Sequence, residues 1–97
     1  MFMEAENSLI SMINRKLIYN AKKGNIKAFE KLVEKYFIVV YSLAFNKTRD
    51  RDKAKSLSYE VFLRVFRNME QTSDETSFMQ LLFKSIKDIC LEKELDK

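Results

Sequence analysis

The chain has 97 residues, enough for one hydrophobic core and one domain but not for two. Hydrophobic residues make up 46% and charged residues 33%, which suits a globular domain and excludes a disordered one. With no histidine, one cysteine and one glycine, the chain lacks the parts for a nucleophile–histidine pair, a zinc knuckle, a disulfide or a glycine-rich phosphate loop. No catalytic residue, metal site or cofactor is therefore expected. The absence of proline removes the usual punctuation of strand-and-turn folds, so an all-α bundle of about four helices joined by short polar turns is the expected class.

Net charge is +4, and its distribution is uneven: residues 1–49 hold nine basic and four acidic groups, residues 50–97 nine and ten. Such an excess permits a nucleic-acid partner without requiring one. The lone Cys90 sits in Ile-Cys-Leu on an apolar stripe, the setting of a buried small hydrophobe in a reducing, cytoplasmic environment. No apolar run approaches membrane length, and Met-Phe-Met-Glu-Ala-Glu is too short and too acidic for a targeting signal.

In chain order, residues 1–7 read as a flexible N-terminus and residues 8–97 as one helical domain. Ser8 is the candidate cap of a first helix with Leu9, Ile10, Met12, Ile13, Leu17, Ile18 and Ala21 at helical spacing. Arg15, Lys16, Lys22 and Lys23 gather towards its far end, where cations complement the helix dipole. Gly24 supplies a left-handed stop and Asn25 the next cap. A second helix is expected over Ile26–Lys47, with a stripe of Ile26, Phe29, Val33, Tyr36, Phe37, Val40, Leu43 and Ala44. Leu32, Val39 and Phe45 widen the stripe, so this helix is expected to be central and the most buried. Asp50 or Asp52 caps a third helix running to about Glu70, with its core stripe at Ala54, Leu57, Val61, Val65 and Met69. Residues 71–77 form a polar loop in which Thr72 and Glu75 have capping-box spacing. A last helix is expected over Ser77–Glu94, buried at Phe78, Leu81, Leu82, Ser85, Ile86, Ile89 and Cys90. The carboxylate pairs Asp50/Asp52 and Asp74/Glu75 fall where capping accounts for them.

Three segments carry a resemblance. They are Ala21-Lys-Lys-Gly-Asn-Ile-Lys-Ala-Phe-Glu, then Ala-Lys-Ser-Leu-Ser-Tyr-Glu-Val-Phe-Leu-Arg-Val-Phe-Arg-Asn68, then Ser77-Phe-Met-Gln-Leu-Leu-Phe-Lys-Ser-Ile-Lys-Asp88. In order and spacing they resemble region two of bacterial sigma factors of the extracytoplasmic-function (ECF) type. The resemblance spans about residues 21–88 and implies a transcription-initiation domain. Its third helix would dock on the clamp helices of the RNA polymerase beta-prime subunit, and the following loop and last helix would recognise and melt the promoter minus-ten element. Carried onto this chain, the polymerase contacts are Ser56, Tyr59, Glu60, Leu63, Arg64 and Arg67, and the DNA contacts are Thr72, Ser73, Asp74, Lys84 and Lys87.

The chain also departs from the family. Lys55, Ser56 and Tyr59 stand where the family usually carries acidic or amide groups, which re-aims charge complementarity with a partner. Leu81 replaces a tryptophan, and Asp88 places negative charge where the family approaches a phosphate backbone. A second reading follows: a sigma-like module that binds polymerase, an anti-sigma factor or a co-sigma partner without reading DNA sequence. Family members continue into a helix-turn-helix domain. None is present in this sequence, which reads either as a domain cut from a longer protein or as a stand-alone version.

Overall fold

A computed structural model of the chain describes residues 2–93, with side chains described from residue 9 onward. It is all-α: α1 (Phe2–Lys22), α2 (Ile26–Thr48), α3 (Arg51–Arg67), a 3-10 turn (Met69–Gln71) and α4 (Glu75–Glu92). The Glu94 end expected for the last helix lies outside the described residues. Among the described residues no strand forms, and no helix is long and apolar enough to cross a membrane.

The turn chemistry follows the side chains. Gly24 ends α1 at φ +92°, and Asn25 caps α2 by accepting from the Ala28 N–H at 3.0 Å. Of the two candidates, Asp50 is the cap of α3, accepting from the Lys53 N–H at 3.0 Å. The expected Thr72–Glu75 box is instead an Asp74–Ser77 box. Asp74 accepts from the Ser77 N–H, and the Ser77 hydroxyl accepts from the Asp74 N–H, so α4 starts two residues earlier than expected. At the end of α3 the Asn68 side chain donates to the Arg64 carbonyl at 2.8 Å, and the chain tightens into the 3-10 turn.

α2 and α3 form an antiparallel pair lined with rings. Phe29 meets Phe66 edge-on at 4.8 Å between centroids, and Phe37 stacks on Phe62 at 6.3 Å and on Tyr41 at 5.9 Å. α4 closes the core from below. All seven of its expected core positions are buried, Cys90 included.

Two expectations are corrected. α1 begins at Phe2 rather than after a Ser8 cap, because the Met, Glu and Ala residues ahead of Ser8 are strong helix formers. Its apolar stripe is not all core: Asn14, Ile18 and Ala21 are buried, whereas Leu9, Ile10, Met12 and Ile13 are exposed. Nor is α2 the most buried helix. Its buried row is Ala28, Leu32, Tyr36, Val40 and Ala44, and Ile38 points to solvent; α3 and α4 bury more positions. A helix flanked by two neighbours keeps a solvent side whatever its composition.

Candidate functional site

The core of α3 takes Ala54, Leu57, Ser58, Val61, Phe62 and Val65. The Ser58 hydroxyl, fully buried, is satisfied by donating to the Ala54 carbonyl at 2.7 Å. With 3.6 residues per turn, the opposite arc then presents Ser56, Tyr59, Glu60, Leu63, Arg64 and Arg67 together. The fold therefore brings these six candidates onto one face, in two rows with different surroundings.

The first row, Ser56–Glu60–Arg64, leans towards α4. Arg64 donates with both guanidinium ends to the Glu92 carboxylate, and Glu60 lies 3.7 Å from Arg64 and 3.4 Å from Lys93. The paired hydrogen bond from Arg64 holds the Glu92 carboxyl below the usual carboxylate range, and the same bond raises the Arg64 pKa. Ser56 and Glu60 also border a shallow cleft of about 380 Å³ with Thr48, Asp52 and Lys93.

The second row, Tyr59–Leu63, leans towards α2. Tyr59 is 55% and Leu63 50% exposed. Both edge an apolar groove of about 560 Å³ whose floor is Phe29, Val33, Phe62 and Phe66, with Glu30 and Glu34 along the α2 side. Tyr59 is held against Phe37 at 6.0 Å between centroids. Sequence reasoning missed the α2 wall of this groove. Its signal was present: Phe29, Val33 and Glu30, Glu34 recur at four-residue steps, but only the packing shows that α3 leaves them half open.

The DNA candidates fare differently. Thr72 is buried; its hydroxyl donates to the Met69 carbonyl, and its own carbonyl accepts from Lys22 at 2.6 Å. Its side chain is not on the surface where the sequence reading places it. Asp74 is occupied as the α4 cap, and the Ser77 N–H it accepts keeps its carboxyl low. Ser73, Lys84 and Lys87 are exposed, with Lys84 paired to Asp88 at 3.1 Å.

A partly buried polar junction also escaped the sequence reading. Asn14 donates to Glu75 at 3.0 Å and accepts from Lys35, while the Tyr36 hydroxyl donates to the other Glu75 oxygen at 3.0 Å. Burial and then the Glu75 carboxylate push the Tyr36 phenol well above its ordinary pKa. The junction ties α1, α2 and α4 together beside Phe78, which meets Tyr36 at 5.1 Å. Among the described residues no group of acidic, histidine or cysteine side chains is arranged to hold a metal.

No protein-family model, curated protein or solved structure matches the chain.

Proposed function

We propose that this chain is a protein-docking domain whose partner is core RNA polymerase, engaged through its beta-prime clamp helices, with no sequence-specific reading of DNA. The observation that carries the docking part is the groove between α2 and α3. It is apolar, open and edged by Tyr59 and half-exposed Leu63, which is the form of a cleft that receives an amphipathic helix. The resemblance of three ordered segments to ECF sigma region two supplies the identity of that partner. Tyr59 acts as the amphipathic anchor, Leu63 as the apolar contact, and Arg67, Glu30 and Glu34 as the charged rim that sets orientation. Glu60 and Arg64 serve chiefly to pin α3 to α4. An anti-sigma factor would compete for the same groove.

A second reading keeps promoter recognition at the minus-ten element. Exposed Ser73, Lys84 and Lys87 favour it, since they leave hydroxyl and cationic groups along one side of α4. Buried Thr72, capping Asp74 and the Lys84–Asp88 pair weigh against it.

The test is binding of the wild type, Leu63→Glu and Glu60→Lys to core polymerase or its isolated clamp helices. Leu63→Glu is expected to weaken binding tenfold or more while leaving stability within about 0.5 kcal/mol, because the site is a surface one. A folded wild type that binds no polymerase sinks the reading. Titration with single-stranded minus-ten DNA and a scrambled strand then separates the two readings; equal affinities are expected.

A further inference from the structure

α1 carries more apolar surface than its packing uses. Leu9, Ile10, Met12 and Ile13 are 59%, 48%, 66% and 52% exposed, immediately ahead of the buried Asn14–Ile18–Ala21 row. The short turn at residues 23–25 and the Lys35–Asn14 bond set α1 antiparallel to α2. The turn before Asn14 and the turn after Lys35 therefore share one end of this helical hairpin, where Ile38 is 67% exposed. Leu9, Met12, Ile13 and Lys16 follow three- and four-residue steps, the spacing of a helix–helix seam. An apolar patch of this extent is of the size that often marks a binding surface on a globular domain.

The charge order along α1 selects the occupant. By sequence, Glu4 and Glu6 fall in its first third, and Arg15, Lys16 and Lys22 in its remainder. Such a helix repels a parallel copy of itself and attracts an antiparallel one. Helices that lie on membranes distribute basic groups along the whole polar face, which this acidic first third does not do.

We propose that this face pairs with the same face of a second copy, antiparallel about a twofold axis at the level of Ser11. Leu9, Met12 and Ile13 of each copy interlock, and Lys16 flanks them in both copies. The five exposed aliphatic side chains of two copies together remove on the order of 1,000 Å² from water, the size at which a specific interface holds. The α2/α3 groove is formed by other helices and stays open in such a dimer.

Sedimentation equilibrium of the whole chain over a wide concentration range tests this. The wild type is expected to move from the 11.6 kDa monomer to twice that mass. Met12→Glu is expected to lower the association constant at least tenfold with an unchanged helical circular dichroism spectrum; Leu9→Gln serves if that variant folds poorly. Lys16→Glu, which sets a further acidic group against the acidic first third of the other copy, is expected to weaken the dimer. A monomer at every concentration overturns the proposal, as does a Met12→Glu dimer of wild-type strength. A Lys16→Glu dimer of wild-type strength overturns the antiparallel arrangement. Uptake of a monomeric wild type by anionic phospholipid vesicles would assign the face to a membrane surface instead.

Discussion

The two exposed rows of α3 look alike as sequence and stand oppositely in the fold. Ser56–Glu60–Arg64 carries the charges that a reader would first assign to a partner, yet Glu92 and Lys93 already answer them. Tyr59–Leu63 carries little charge, and beside it lies a groove of about 560 Å³ with an apolar floor. Charged groups that are satisfied within the molecule gain little from a partner, because their salt bridges only change hands. Apolar surface left in water gains from any complementary cover. The row with fewer charges is therefore the stronger docking candidate.

Removing the floor of the groove breaks this comparison most severely. Phe62, 3% exposed, holds the core with one side of its ring and the groove with the other. Phe62→Ala is expected to cost about 3–5 kcal/mol, read as a lower chemical-denaturation midpoint, and to abolish docking through loss of the fold. Leu63→Glu should separate the two effects: binding falls while the midpoint holds. A parallel loss of both would mean that Leu63 belongs to the core.

A smaller effect compares a buried polar pair with the exposed one. Tyr36→Phe removes the hydroxyl that donates to Glu75 and is expected to cost about 1 kcal/mol. Because the folded-state pKa of Tyr36 is raised, its contribution is complete below the unfolded phenol value of about 10 and is lost progressively as pH rises from there through the raised folded value. Thermal unfolding of wild type and Tyr36→Phe from neutral to alkaline pH checks this; the wild type should lose its advantage only at the alkaline end.

The smallest effect belongs to Arg64–Glu92. The Glu92 carboxyl is depressed, so its stabilisation is present above the usual value of 4.5 and disappears as pH falls through the lowered one. Glu92→Gln is expected to flatten the acid limb of the melting curve slightly and to leave the proposed polymerase binding unchanged. Moderate salt should remove most of the difference, since the pair is exposed. A large loss of binding in Glu92→Gln would reverse the ranking of the two rows.

The rest of the molecule shows the same division between what was legible and what was not. α4 was read almost residue for residue, because a helix packed along one side against the core writes its burial as a single 3.6-residue stripe. The Asn25 cap was legible, and the α3 cap was narrowed to Asp50 or Asp52, because caps act within three residues of themselves. Asn14 was not: a polar residue in an apolar stripe gives no hint that Lys35, sixty-one-residues-distant Glu75 and a third helix converge on it. The Asp74–Ser77 box was obscured by the equally well-spaced Thr72 and Glu75, and the contest was settled by burial of Thr72 and capture of Glu75 by Tyr36.

By itself the sequence determined the class, α2, α3 and α4 to within a few residues, and the side of α3 that faces water, since each follows from local propensity and periodicity. It also contains the three segments that resemble ECF sigma region two. Only the tertiary structure decided which exposed groups are already engaged, which half of the α1 stripe is core, and that α2 and α3 leave a groove between them. Those outcomes depend on which helix ends meet and how far apart rows of side chains lie, and contacts between distant positions leave no periodic trace along the chain.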